Sequence, residues 1–220
     1  MMKGNARLRR RIIQRLRNCT RTEGETPPYM KSLYCFYRDL CEDPFMMTLL
    51  RICFTAYSFT VIFRGKGVQR DNDVKGLVNY DRSIIIVYCQ ENKNETLEVL
   101  AHEIAHFAMH VIFHNYGVPY GLNSSSSIKS AIASFCAKEN SYDPLKPVFS
   151  KYYASEWDSE IYAIAVGSLF NDGTRDALKE LRSECMEHVF RHYEMPKTAQ
   201  CYNILQVIET AIALLFALLD

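Results

Sequence analysis

No two of the eight cysteines, at positions 19, 35, 41, 53, 89, 136, 185 and 201, form a C-x-x-C pair or any tight cluster. Several sit in apolar surroundings, as in Ile52-Cys53-Phe54 and Phe135-Cys136-Ala137. That spacing argues against a disulfide framework and for buried free thiols in a reducing compartment. No apolar run is long enough to span a membrane. The most apolar stretch, residues 211–219, falls well short of the roughly 20 residues required, and reads as a packed core helix. The basic N-terminal stretch is not followed by an apolar segment of signal-peptide type, so no secretory leader is expected. The expected setting is therefore intracellular, the cytoplasm first, with nucleus or organelle still open. Internal repeats are missing as well.

Acidic residues are absent from positions 1–21, which hold eight of the 26 Lys and Arg. The other 199 residues hold 18 basic and all 25 acidic side chains, a formal charge of −7. A mildly acidic body offers no nucleic-acid surface. Residues 1–27 read as a basic flexible tail, although Leu8, Ile12, Ile13 and Leu16 lie at helical spacing among the arginines. Residues 28–220 read as one domain, with 48% hydrophobic and 23% charged residues to build a core and a surface.

Within that domain, residues 29–57 carry a helical, aromatic pattern broken at Asp43-Pro44, where Pro44 can open a second helix. Residues 58–64 are β-branched and aromatic, a strand ended by Gly65-Lys66-Gly67. Residues 77–80, the turn Asp81-Arg82-Ser83 and residues 84–89 predict a β-hairpin. Asn92 and Asn94 are N-cap candidates for a long helix over about 96–115, with Glu95 and Glu98 in its first turn. A serine run at 124–127 reads as a loop. Ser155 caps a helix from 156 to about 169, Asn171-Asp172-Gly173 forms a turn, and helices over 174–192 and 198–219 follow.

The long helix carries His102-Glu103-Ile104-Ala105-His106, an H-E-x-x-H match. A helix advances about 100° per residue, so residues four apart stand about 40° apart and one turn up. Both imidazoles then leave one face and can reach one metal ion. Glu103 stands about 60° from His106, close enough to act on a water at that ion. The other face of the helix is apolar: Leu97, Leu100, Ala101, Ile104, Phe107, Ala108 and Val111.

A catalytic zinc takes three protein ligands and keeps one open position. A third histidine six residues after His106 is missing, since position 112 is Ile, which excludes the metzincin pattern. His110 and His114 continue the four-residue rhythm but drift away along the helix, which makes His110 a neighbouring or core histidine. His188 and His192 form another i, i+4 pair without an acid between them, and read as surface histidines. The next well-capped helix offers Glu156 and Glu160. Glu160 borders the apolar face of Trp157, Ile161 and Ile164, whereas an acid at the helix start, like Glu156, is expected to be solvated. Glu156 stands as the alternative ligand, with Glu160 then supporting it.

H-E-x-x-H followed about fifty residues later by a helix bearing Glu resembles the gluzincins. Glu160 with Ala163 and Ala165 is similar to the ligand helix of lethal-factor-type peptidases. Glu160, Ile164, Ala165 and Leu169 resemble that of the compact ImmA/IrrE-type peptidases. The likeness covers about residues 58–170. Position 105 is Ala where many such families have Gly, and Ile164 stands where some gluzincins place a carboxylate. The resemblance implies an α+β, compact zincin-like domain, with a small mixed sheet whose hairpin packs on the active-site helix and a mostly helical C-terminal part. It implies one Zn²⁺ held by His102, His106 and Glu160, Glu103 as general base, and peptide or protein substrates. Tyr153, seven residues before Glu160, takes the place of the tyrosine that donates to the oxyanion in lethal-factor-type enzymes. The same ligands would also serve a zincin-like module that binds zinc or peptide without cutting, or a domain of a larger chain. The sequence carries no signal of oligomeric state.

Overall fold

The computed structural model describes residues 2–56, 58–68, 74–116 and 157–176. They fall in two compact units, residues 2–116 in the first and 157–176 in the second.

The first unit begins with α1 (Met2–Asn18) and β1 (Thr20–Glu23). This corrects the expectation of a flexible tail over residues 1–27. Ile12, Ile13 and Leu16 form an apolar stripe, and all three are buried. α2 (Leu33–Leu40) and α3 (Pro44–Ala56) pack against α1 and supply the partner surface. Arg15 adds a contact of its own, with its guanidinium 4.2 Å from the Phe54 ring centroid and a hydrogen bond to the Phe54 carbonyl. The caps follow local chemistry: the Ser32 hydroxyl accepts from Cys35 N, and the Asp43 carboxylate accepts from Met46 N just before Pro44 opens α3.

Four strands form one mixed sheet in the order β1-β2-β4-β3, where β2 is Thr60–Arg64, β3 Gly76–Asn79 and β4 Ile84–Tyr88. β1 runs parallel to β2 and β2 parallel to β4, while β3 and β4 are the expected antiparallel hairpin. Alternation along the central strands places Val61, Phe63, Ile85 and Val87 in the core. Phe36 of α2 meets Phe63 edge to face, and the Tyr37 hydroxyl bonds to Thr20 of β1. On a row across the sheet, Glu23 pairs with Arg64 at 2.8 Å, and Arg64 donates to the Tyr88 hydroxyl. β3 lies at the edge of the sheet.

α4 (Lys93–Tyr116) packs on α3, β3 and β4. It starts earlier than the sequence suggested because Asn92 caps it, accepting from Glu95 N at 2.9 Å and donating to the Glu95 carboxylate. Asn94 lies inside the helix. Thr96 is buried and bonds to the Tyr29 hydroxyl and Gln90 N, and Lys93 pairs with Asp39 of α2. These contacts fix the first turn of α4 on the N-terminal helices and the end of β4. Every residue of the expected apolar face is buried. Phe107 packs against Phe59, ring centroids 5.2 Å apart. A buried side chain of that size stabilises by about 1.5–3 kcal/mol.

The second unit, by itself, contains α5 (Trp157–Gly167) and a 3-10 turn, Ser168–Phe170. Residues 163–166 are buried. Arg175 donates to the Ser168 and Leu169 carbonyls and caps the end of this segment. Asn171 is an N-cap rather than the centre of a turn. Its side chain accepts from Gly173 N and Thr174 N, and residues 172–176 are helical. The serine run and the helices expected beyond 176 lie outside the described residues. No described helix is long and apolar enough to cross a membrane. The architecture is thus mixed α+β, with a small mixed sheet and several helices.

Candidate metal centre

His102 and His106 project from adjacent turns of α4. Their Nε2 atoms lie 3.0 Å apart, and the rings meet at 74° with centroids 4.7 Å apart. Two nitrogens on one tetrahedral zinc, with bonds of about 2.0–2.1 Å, stand about 3.3 Å apart. The pair is therefore within a few tenths of an ångström of the spacing that a shared ion requires. His106 is 7% exposed and His102 half-buried.

Glu103 is 6% exposed. Its side chain lies against the backbone of Gly76, the first residue of β3. A Cβ at position 76 would come within 2.6 Å of Glu103 Oε1. The edge strand thus approaches the helix at the residue between the two histidines. Sequence reading passed over Gly76. The available signal was a glycine opening a strand, which marks a close approach of backbone to another group.

Glu160 lies on α5 and is also 6% exposed, with Oε2 shielded from solvent. A carboxylate buried to that degree requires a compensating positive charge or hydrogen-bond donors. His102, His106 and Glu160 each offer one ligand atom, these atoms all lie within 4.8 Å of one another, and the group could hold a metal ion. Two imidazoles and a carboxylate are a donor set that suits zinc. Among the described residues the group stops at three, and Glu103 is not part of it.

His110 is placed elsewhere. Its ring stacks on Tyr80 at the end of β3, with centroids 4.5 Å apart, one turn beyond His106. Tyr153, Glu156, His188 and His192, and the side chain of His114, lie outside the described residues.

No family model matches the chain, and neither a curated protein nor a solved structure matches it.

Proposed function

We propose that the protein is a zinc-dependent metallopeptidase of zincin-like type, with His102, His106 and Glu160 as the zinc ligands and Glu103 as the general base. The observation that carries this reading is the approach of the three ligand atoms to within 4.8 Å, with a nearly buried carboxylate next in sequence to one of them. Zinc, when bound, polarises a scissile carbonyl and makes water a stronger acid near neutral pH.

The remaining work falls to the chain. His102 and His106 orient the site from adjacent turns of α4, whose apolar face is buried. Glu103 takes a proton from the attacking water on a carboxylate oxygen and later gives it to the leaving amine. Its low exposure keeps bulk water from competing for that proton. Two histidines and a carboxylate also serve iron(II) oxygenases. Glu103 favours hydrolysis, because an oxygenase has no need of an acid fixed between its two histidines.

The test is E103Q, which keeps the shape of the side chain and removes its basicity. Metal analysis should find one zinc per chain in wild type and variant alike. Cleavage of a mixed-sequence peptide library should be lost in the variant. An E103Q protein that still cuts would overturn the assignment. A wild type that binds zinc and cuts nothing would point to a binding module, and bound iron would redirect the chemistry.

A further inference from the structure

Of the glycines of the first unit, Gly24 and Gly67 have positive φ, at 70° and 84°, so their backbone asks for glycine. At Gly65 an added Cβ would meet Glu25 O at 2.0 Å and Glu25 C at 2.4 Å, so packing against another strand of backbone asks for it. Gly76 differs from both. Its φ is not in the left-handed region. The three nearest atoms to an added Cβ are side-chain atoms of α4: Glu103 Oε1 at 2.6 Å, Glu103 Cγ at 2.8 Å and Val99 Cγ1 at 2.8 Å.

The backbone at this point has little room to retreat. Gly76 is paired with Val87 of β4, and Tyr88 N donates to Lys75 O at 2.9 Å. α4 rests on both strands of the hairpin. A side chain at position 76 would therefore be accommodated on the helix side. Val99 would change rotamer, and the Glu103 carboxylate would swing away.

We propose that Gly76 is a positioning residue for Glu103: the side chain it lacks is the seat of the carboxylate, and any Cβ there displaces the base without touching the metal ligands. This rests on Glu103 being the general base. It makes the first residue of the edge strand part of the catalytic arrangement, though it supplies no reacting group.

The test uses G76A, E103A and the double variant, with cobalt(II) alone as the metal probe. G76A should bind one cobalt(II) per chain with affinity within about twofold of wild type, because His102, His106 and Glu160 are untouched. On the best-cut peptide of a mixed-sequence library, kcat should fall by about 100-fold with KM little changed, the scale expected for a group misplaced by about 1 Å. Thermal unfolding of the metal-free proteins supplies a readout independent of activity. G76A should lower the melting temperature in the wild-type background and by clearly less in the E103A background, where the colliding carboxylate is gone. A V99A background should not restore kcat.

Equal melting losses in both backgrounds, or G76A with wild-type kcat, would overturn the proposal. If G76A alone fails to fold, G76A/E103A should fold, and failure of both would show that the backbone demands the glycine. If wild type binds cobalt(II) but cuts no library peptide, the base reading fails and the positioning claim with it, even where the unfolding data confirm the contact.

Discussion

The shared helix face of His102 and His106, with Glu103 between them, was legible in the sequence because the relation is local. Helix geometry alone brings residues four apart onto one face, and the structure finds the two nitrogens 3.0 Å apart. Glu160 was legible only by inference. Its place beside the apolar run of α5 favoured it over Glu156; Glu160 forms a possible metal group with His102 and His106, while Glu156 lies outside the described residues. Gly76 carried only the weak signal of a glycine opening a strand, since its neighbours Val99 and Glu103 are set by how β3 meets α4, which no local pattern encodes. Among the proposed ligands, Glu160 is the one that sequence supports least, and it gives the sharpest prediction at this scale. Loss of a partner that merely orients a ligand costs about 10–100-fold in metal affinity. Replacing a ligand should therefore cost E160Q at least about 100-fold in zinc affinity, measured by competition with a chromophoric chelator. Affinity within about threefold of wild type would exclude Glu160 as a ligand and return the choice to Glu156.

The elements divide in the same way between local and distant causes. The β3–β4 hairpin and α4 were read correctly because turn residues, alternation and an N-cap lie within a few positions of one another. α1 and β1 were read as a tail because their partners are remote: α2 and α3 pack against α1, whose Ile12, Ile13 and Leu16 are buried, and β2 pairs with Thr20–Glu23 about 40 residues downstream. Eight basic residues in a row of 21 dominate the composition and mask three well-placed aliphatic ones. The two readings differ by a measurable amount. Leu16 is fully buried, so L16A should lose about 2–5 kcal/mol of stability in urea unfolding, the range for removing a buried leucine side chain. In a solvated tail the same change would stay within about 0.5 kcal/mol.

For the first unit as a whole, the parallel neighbours β1–β2 and β2–β4 were beyond local reading, and the cysteines marked its interior only in part. Among the described residues Cys19, Cys35, Cys41, Cys53 and Cys89 are all free; Cys41 and Cys53 are buried, Cys19 and Cys89 are half-buried and Cys35 is exposed. Burial holds the Cys19 and Cys89 thiols up at about 11 and Cys41 at about 12, from an ordinary 9.0. Cys53 and the buried Tyr37 hydroxyl are pushed up in the same direction by the same cause. The sign of the effect on stability follows from proton counts. Below pH 9 folded and unfolded chains both hold these protons, and the stability is fully present. Between pH 9 and about 12 the unfolded thiols release protons that the folded ones keep, so stability falls as pH rises, by at most about 1.4 kcal/mol per pH unit for each of the buried Cys41 and Cys53 and by less for the half-buried Cys19 and Cys89, which solvent screens. Urea unfolding at pH 8, 9.5 and 11 should therefore give a plateau followed by a steep loss. C41A should show a shallower loss above pH 9 than wild type, since one of the retained protons is gone. A wild-type stability that is level up to pH 11 would mean that Cys41 and Cys53 are not held in a dry interior, and that α2 and α3 do not pack closely over them.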